Sequence, residues 1–228
     1  MRLAKQEFLI HKQIAVLMVV AIGLIFSASS LHAKKGFYLG PGLARQSISG
    51  DFDGQSAFLG TGGTGPVVLN GKMDSGNGLS GVIGYGINDH FSLEYFFAGT
   101  SHDATHQAIP GETMSASVAV GIIGPRLATG GEFMDLFLRA GYARGSVRFE
   151  DNASVAGSTT LEESEYSGAG FGFGLGVEFH LSKLLGLEIG YNKTSIDYDT
   201  LTAGEVNGTI SDFSVDISTM NVTVVFHF

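Results

Sequence analysis

The chain has no cysteine, which excludes disulfides, cysteine-based zinc sites and a lipid-modified N-terminal cysteine. Proline occurs only 4 times, so the abundant glycine is not that of a proline–glycine linker. There are 34 glycines, where average usage would give about 16. After residue 33 no apolar run approaches the ~18 residues of a membrane helix, and no amphipathic helical pattern of useful length appears. Bases are few, 13 Lys+Arg against 22 Asp+Glu, a balance that argues against nucleic acid as a partner. There is no GxxxxGK(S/T) phosphate loop.

The N-terminus accounts for part of the apolar content. Arg2, Lys5 and Lys12 precede IAVLMVVAIGLIF at residues 14–26, and the small residues of SASSLHA follow. This is the order of a cleavable secretory signal, and the run is too short to span a bilayer comfortably. Cleavage is expected near Ala33, with Ser30 as a second candidate, dividing the chain into a removed segment 1–33 and a single domain 34–228. The mature chain then keeps 10 bases and 21 acids, a formal charge of −11.

The mature chain reads as eight short alternating stretches separated by turn residues. They span roughly 36–46, 78–87, 91–101, 113–125, 133–147, 166–180, 185–197 and 213–228. The apolar face of the fourth is read as Ala116, Val118, Val120 and Ile122. In the sixth, Phe171, Phe173, Leu175, Val177 and Phe179 alternate with four glycines and Glu178. Connections after the even strands are short and those after the odd strands long and polar, so each kind collects at one end of the sheet.

Strand six decides between a soluble and a membrane barrel. A soluble barrel turns its bulky apolar residues inward. A membrane barrel turns them to lipid. Four glycines cannot fill a core, and a Phe/Leu/Val face cannot be left in water. Outward apolar residues and inward glycines are therefore expected, which places Glu94, Arg139, Glu178 and Glu188 in the lumen, with three acids sharing Arg139. Backbone facing lipid must be fully paired, so the sheet closes, strand eight against strand one. Pro41 lacks an N–H and marks a bulge or local gap in that seam. Tyr85, Phe91, Tyr142, Phe179, Tyr191, Phe226 and Phe228 are candidates for the interfacial aromatic belts.

GFYLGPGL, GYGINDHFSLEYFF and GVEFHLSKLLGLEIGYN resemble the small eight-stranded outer-membrane barrels, a group that includes the barrel domain of outer-membrane protein A, outer-membrane protein X and the opacity-type proteins. The ending MNVTVVFHF is similar to their C-terminal assembly signal, carried here by Met220, Val222, Val224, Phe226 and Phe228. The resemblance implies an all-β, antiparallel up-and-down transmembrane barrel in the bacterial outer membrane, among lipids and lipopolysaccharide. It also implies recognition of the last strand by the barrel-assembly machinery.

Side-chain constellations point away from catalysis. His180 and Ser182 share a parity but lie at a short turn, and Ser101 and His102 face opposite ways on a strand. His102 and His106 read as solvated loop histidines. No catalytic residue, metal or cofactor is expected. The lumen charges read as a plug of ion pairs. Arg45, Arg144, Arg148 and Lys193 form a group of outward bases at the outer strand ends, candidates for lipopolysaccharide phosphates. A monomer is expected, with a structural or surface-interaction (adhesin- or opacity-like) role through four external loops and residues 47–77 and 150–165 as contact surfaces for a host or extracellular ligand. The alternatives are a narrow solute conduit and a lipid A-modifying enzyme.

Overall fold

The computed structural model describes residues 35–50, 56–58, 66–68, 73–105, 113–150, 164–203, 206–209 and 213–228. Residues 1–33, read from the sequence as a signal segment, His106 and most of the two long loops lie outside the described residues.

Eight long strands form the wall: β1 Gly36–Gly50, β2 Gly76–Gly86, β3 Phe91–Thr105, β4 Thr113–Ala128, β5 Met134–Glu150, β6 Ser164–His180, β7 Leu185–Ala203 and β8 Ser214–His227. Each pairs antiparallel with its sequence neighbours, and β8 returns to β1 to close the barrel. A short strand, Val206–Thr209, extends the β7 edge, and Ser56–Phe58 pairs with Pro66–Val68 in the first loop. The seam keeps one register throughout. Leu39 faces Phe226 and Gly42 faces Thr223, while pairing lapses at Gly40 and Pro41 between them. The proline thus produces a gap rather than a bulge.

Alternation sets the two faces. On β6 the aromatic and branched residues point outward and the glycines inward, where they make room. A Cβ on Gly172 would meet Ile122 at 2.7 Å, and one on Gly176 would meet the Phe137 ring at 2.5 Å. The only sequence-predicted face that is reversed is that of β4. Ala116, Val118, Val120 and Ile122 are buried in the lumen, and β4 turns Ser117, Ala119, Ile123 and Leu127 outward.

The reason is a change of solvent along the barrel. Toward the short-turn end the lumen is polar and the outer face apolar. Toward the long-loop end the order inverts. Phe149, Tyr166, Tyr198, Leu201, Phe213 and Ile217 pack inside, while Glu165, Asp197, Asp199 and Ser214 face outward. The ring centroids of Tyr166 and Phe213 are 5.8 Å apart, and those of Phe149 and Tyr166 5.9 Å. A bulge in β7, where Ser167 faces Thr200 and Gly168 faces Tyr198, lets both Tyr198 and Leu201 point inward. This outer part is built like a soluble barrel.

Candidate functional site

The lower lumen holds a chain of alternating charge. Arg126 Nη2 lies 2.8 Å from Glu178 Oε2, and its Nε 3.6 Å from Glu94 Oε2. Arg139 Nη1 lies 3.1 Å from Glu94 Oε1, and its Nη2 2.6 Å from Glu188 Oε1. The five side chains come from β3, β4, β5, β6 and β7, so the chain reaches across the lumen. Strand alternation puts each inward, and burial obliges each to pair. Both guanidiniums also lie over the Phe137 ring, at 4.4 and 4.8 Å from its centroid.

Neighbouring side chains add hydrogen bonds to these carboxylates. Tyr38 donates to Glu94 at 2.8 Å, and Asn221 donates to Glu188 at 3.1 Å. At the short-turn mouth His227 Nε2 donates to Glu178 Oε1 at 2.7 Å, and His180 Nε2 donates to Asp135 Oδ2 at 3.0 Å. A cavity of about 20 Å³ remains at that mouth beside Tyr38, Arg126 and His227, room for a single water.

All four sequence-predicted lumen charges are brought together. The residue missed is Arg126, which gives the three acids a second cation. It lies at the end of a strand read as finishing at residue 125. The sequence hid it: it shares parity with Val118, Val120 and Ile122, the face read as outward, and that parity faces the lumen.

His102 is also corrected. It is a strand residue, not a solvated loop histidine. It is buried, and its Nδ1 donates to the Asp74 carbonyl at 2.7 Å. Since that carbonyl only accepts, Nδ1 carries the proton. The Thr100 hydroxyl next to it donates to Gln46, which donates to Thr219 at 3.1 Å. Ser101 faces outward while His102 faces inward, so the two side chains do not meet.

On the outer face each strand's apolar stretch gives way to a polar position toward the long-loop end. These positions are Arg45, Asn77, Ser101, Ser117, Arg144, Ser167, Lys193 and Ser218 on β1 to β8 in turn. On β5 the belt runs from Met134 to Tyr142, a rise of roughly 20 Å for a tilted strand, close to the height of a membrane barrel's apolar band. The four outward bases do not form one group. Arg45 is on β1 and Lys193 on β7, with β8 between them, and Arg144 and Arg148 lie on β5 across the barrel. Lys193 Nζ is bound to Asp216 Oδ2 at 2.9 Å. Met220, Val222, Val224, Phe226 and Phe228 all point outward on the β8 side of the seam, with Thr223 and Val225 buried between them.

Closed topology, an apolar belt and inward charges describe an outer-membrane barrel, and residues 17–228 match the outer membrane protein beta-barrel domain. The chain belongs to that family. The family places the protein in the bacterial outer membrane. Among solved structures, the chain is similar to the outer membrane protein OprG from Pseudomonas aeruginosa, with 14% identity, 86% of this chain and 97% of that chain covered, and a TM-score of 0.57. It is also similar to outer membrane protein AlkL, with 15% identity, coverage of 88% and 94%, and a TM-score of 0.50. At these identities the likeness is one of fold. No curated protein sequence matches the chain.

Proposed function

We propose that the protein is a closed, non-catalytic outer-membrane barrel that acts as a structural or surface-interaction element through its four external loops. One observation carries this reading: the lumen is filled at two levels, by the Glu178–Arg126–Glu94–Arg139–Glu188 chain below and by the Tyr166–Phe213 stack above. An eight-stranded wall leaves an interior that side chains fill, and here both halves are filled. The soluble-type outer half lifts the loops clear of the lipid, where they can meet a host or extracellular ligand. Assembly proceeds through β8 and the barrel is monomeric.

Purified protein in planar bilayers is expected to show no large steady conductance, and nanosiemens steps would overturn the reading in favour of a conduit. A strain lacking the protein is expected to change in surface adhesion or detergent sensitivity with its lipid A mass spectrum unaltered. A change in that spectrum would favour a lipid-modifying enzyme.

A further inference from the structure

Beyond Ser101, where the apolar stretch of β3 has ended, a buried hydrogen-bond chain crosses the inside of the barrel. It starts at the Asp74 carbonyl, ahead of β2, and passes through His102 and Thr100 of β3 and Gln46 of β1 to Thr219 of β8. All four of these side chains are buried, Gln46 and Thr219 completely. The chain therefore joins the end of the first external loop to the β1–β8 seam. Two further contacts hold that loop end to β3. Met73 bridges to Ala104, and Asp74 N donates to the Asp103 carbonyl at 2.9 Å.

The proton inventory makes this chain titratable. His102 Nδ1 gives its proton to the Asp74 carbonyl, 2.7 Å away. Nε2 lies 2.7 Å from the Thr100 hydroxyl, which is itself 2.5 Å from Gln46 Oε1. A hydroxyl has one proton to give. While Thr100 gives it to Gln46, Nε2 needs a proton of its own to bond Thr100, and the ring is an imidazolium. In the neutral ring Nε2 accepts from Thr100 instead, and the Gln46 amide turns over to donate to Thr100. One proton on His102 thus reverses the direction of the bonds from β3 to β8.

The charged form is poorly housed. β4 sets Ala116 opposite His102, β2 sets Gly76 against the ring, and β1 brings the uncharged Gln46. The carboxylates beside it belong to Asp74 and Asp103, both exposed, and among the described residues His102 makes no ion pair. Burial pushes its pKa down, against smaller upward pulls from the Asp74 carbonyl and the Asp103 charge. A histidine in water titrates near pH ~6.5. An opened site therefore takes up the proton more readily than the closed one. The closed form has its full stability above pH ~6.5, and below it each pH unit raises the open fraction by up to about tenfold. Met73–Ser75 is the piece that moves, since it lies outside the long strands and its Asp74 and Ser75 already face water.

We propose that His102 is an acid-released latch, whose protonation frees Met73–Ser75, the end of the first external loop, from β3. The latch is independent of what the loops bind.

The test is electron paramagnetic resonance of the barrel in lipid vesicles, with a spin label on Ser75→Cys, between pH ~8 and ~5. The chain has no other cysteine to label. In the parent the label becomes mobile in a step centred below pH ~6.5, while a label on Ser146→Cys in the wall does not change. His102→Gln gives a label mobility that is flat across this range, and His90→Gln keeps the step. Thr100→Val, which takes the acceptor from the charged ring, opens at a higher pH than the parent, because a bond to a charged group is worth more than one to a neutral group. No step in the parent, or a step that survives His102→Gln, would refute the latch. So would loss of the step in His90→Gln, or a Thr100→Val variant that opens at the parent's pH or below it. Loosening of the Ser146 label in parallel would make the event a general unfolding and refute it too.

Discussion

Arg139 illustrates what burial demands of a charge. It is 4% exposed and holds Glu94 and Glu188 at once. Removing it leaves two carboxylates with fewer partners in a place with little water. Arg139→Leu is therefore expected to lower stability by about 3–5 kcal/mol in urea titrations of the folded barrel in lipid vesicles, and a loss below about 1 kcal/mol would contradict the pairing. The inward position of Arg139 was legible because its neighbours Leu138 and Ala140 sit on the apolar parity of a strand whose outward face is clear. Arg126 was not, because the face of β4 was read from its branched residues. Branched residues mark lipid in one half of this barrel and lumen in the other.

At the scale of the element, β6 shows how sequence alternation sets both faces. Its outward Phe171, Phe173 and Leu175 face lipid, and the inward glycines make room for Phe137 and Arg139 of the neighbouring β5 and for Ile122 of β4. Gly172→Leu would drive a side chain into Ile122 and Thr194. It is expected to cost about 1–3 kcal/mol and lower the temperature at which the folded gel band disappears, whereas an unchanged temperature would mean the lumen is looser than described. Strand number, order, closure and the short-turn and long-loop ends were legible from period and connection length. Strand ends were not, because the outer segments of β5, β6 and β7 continue past the lipid and lose the lipid-facing pattern. The β4 reversal and the β7 bulge escaped for the same reason, since both belong to the water-surrounded half.

The whole molecule folds across two solvents. Below the ring that runs through Arg45, Arg144 and Lys193 it is apolar outside and charged inside, and above it the two are exchanged. The absence of cysteine makes this boundary measurable without background. In intact cells, Ser47→Cys, Ser101→Cys and Ser195→Cys should react with a membrane-impermeant maleimide, whereas Leu93→Cys and Leu187→Cys should not. Labelling at Leu187→Cys would place the boundary wrongly. The same plan has a mechanical side, through the seam. The β1–β8 ladder is broken at Gly40–Pro41 into a short block at Tyr38 and Leu39 and a long one from Gly42 to Gly50. A force drawn on Lys35 toward the periplasm first loads the short block, which can peel away while the long block still holds the ring shut. The barrel therefore has a weak lip and a strong collar, and tension from the N-terminal side is spent at the lip before it reaches the lumen charges.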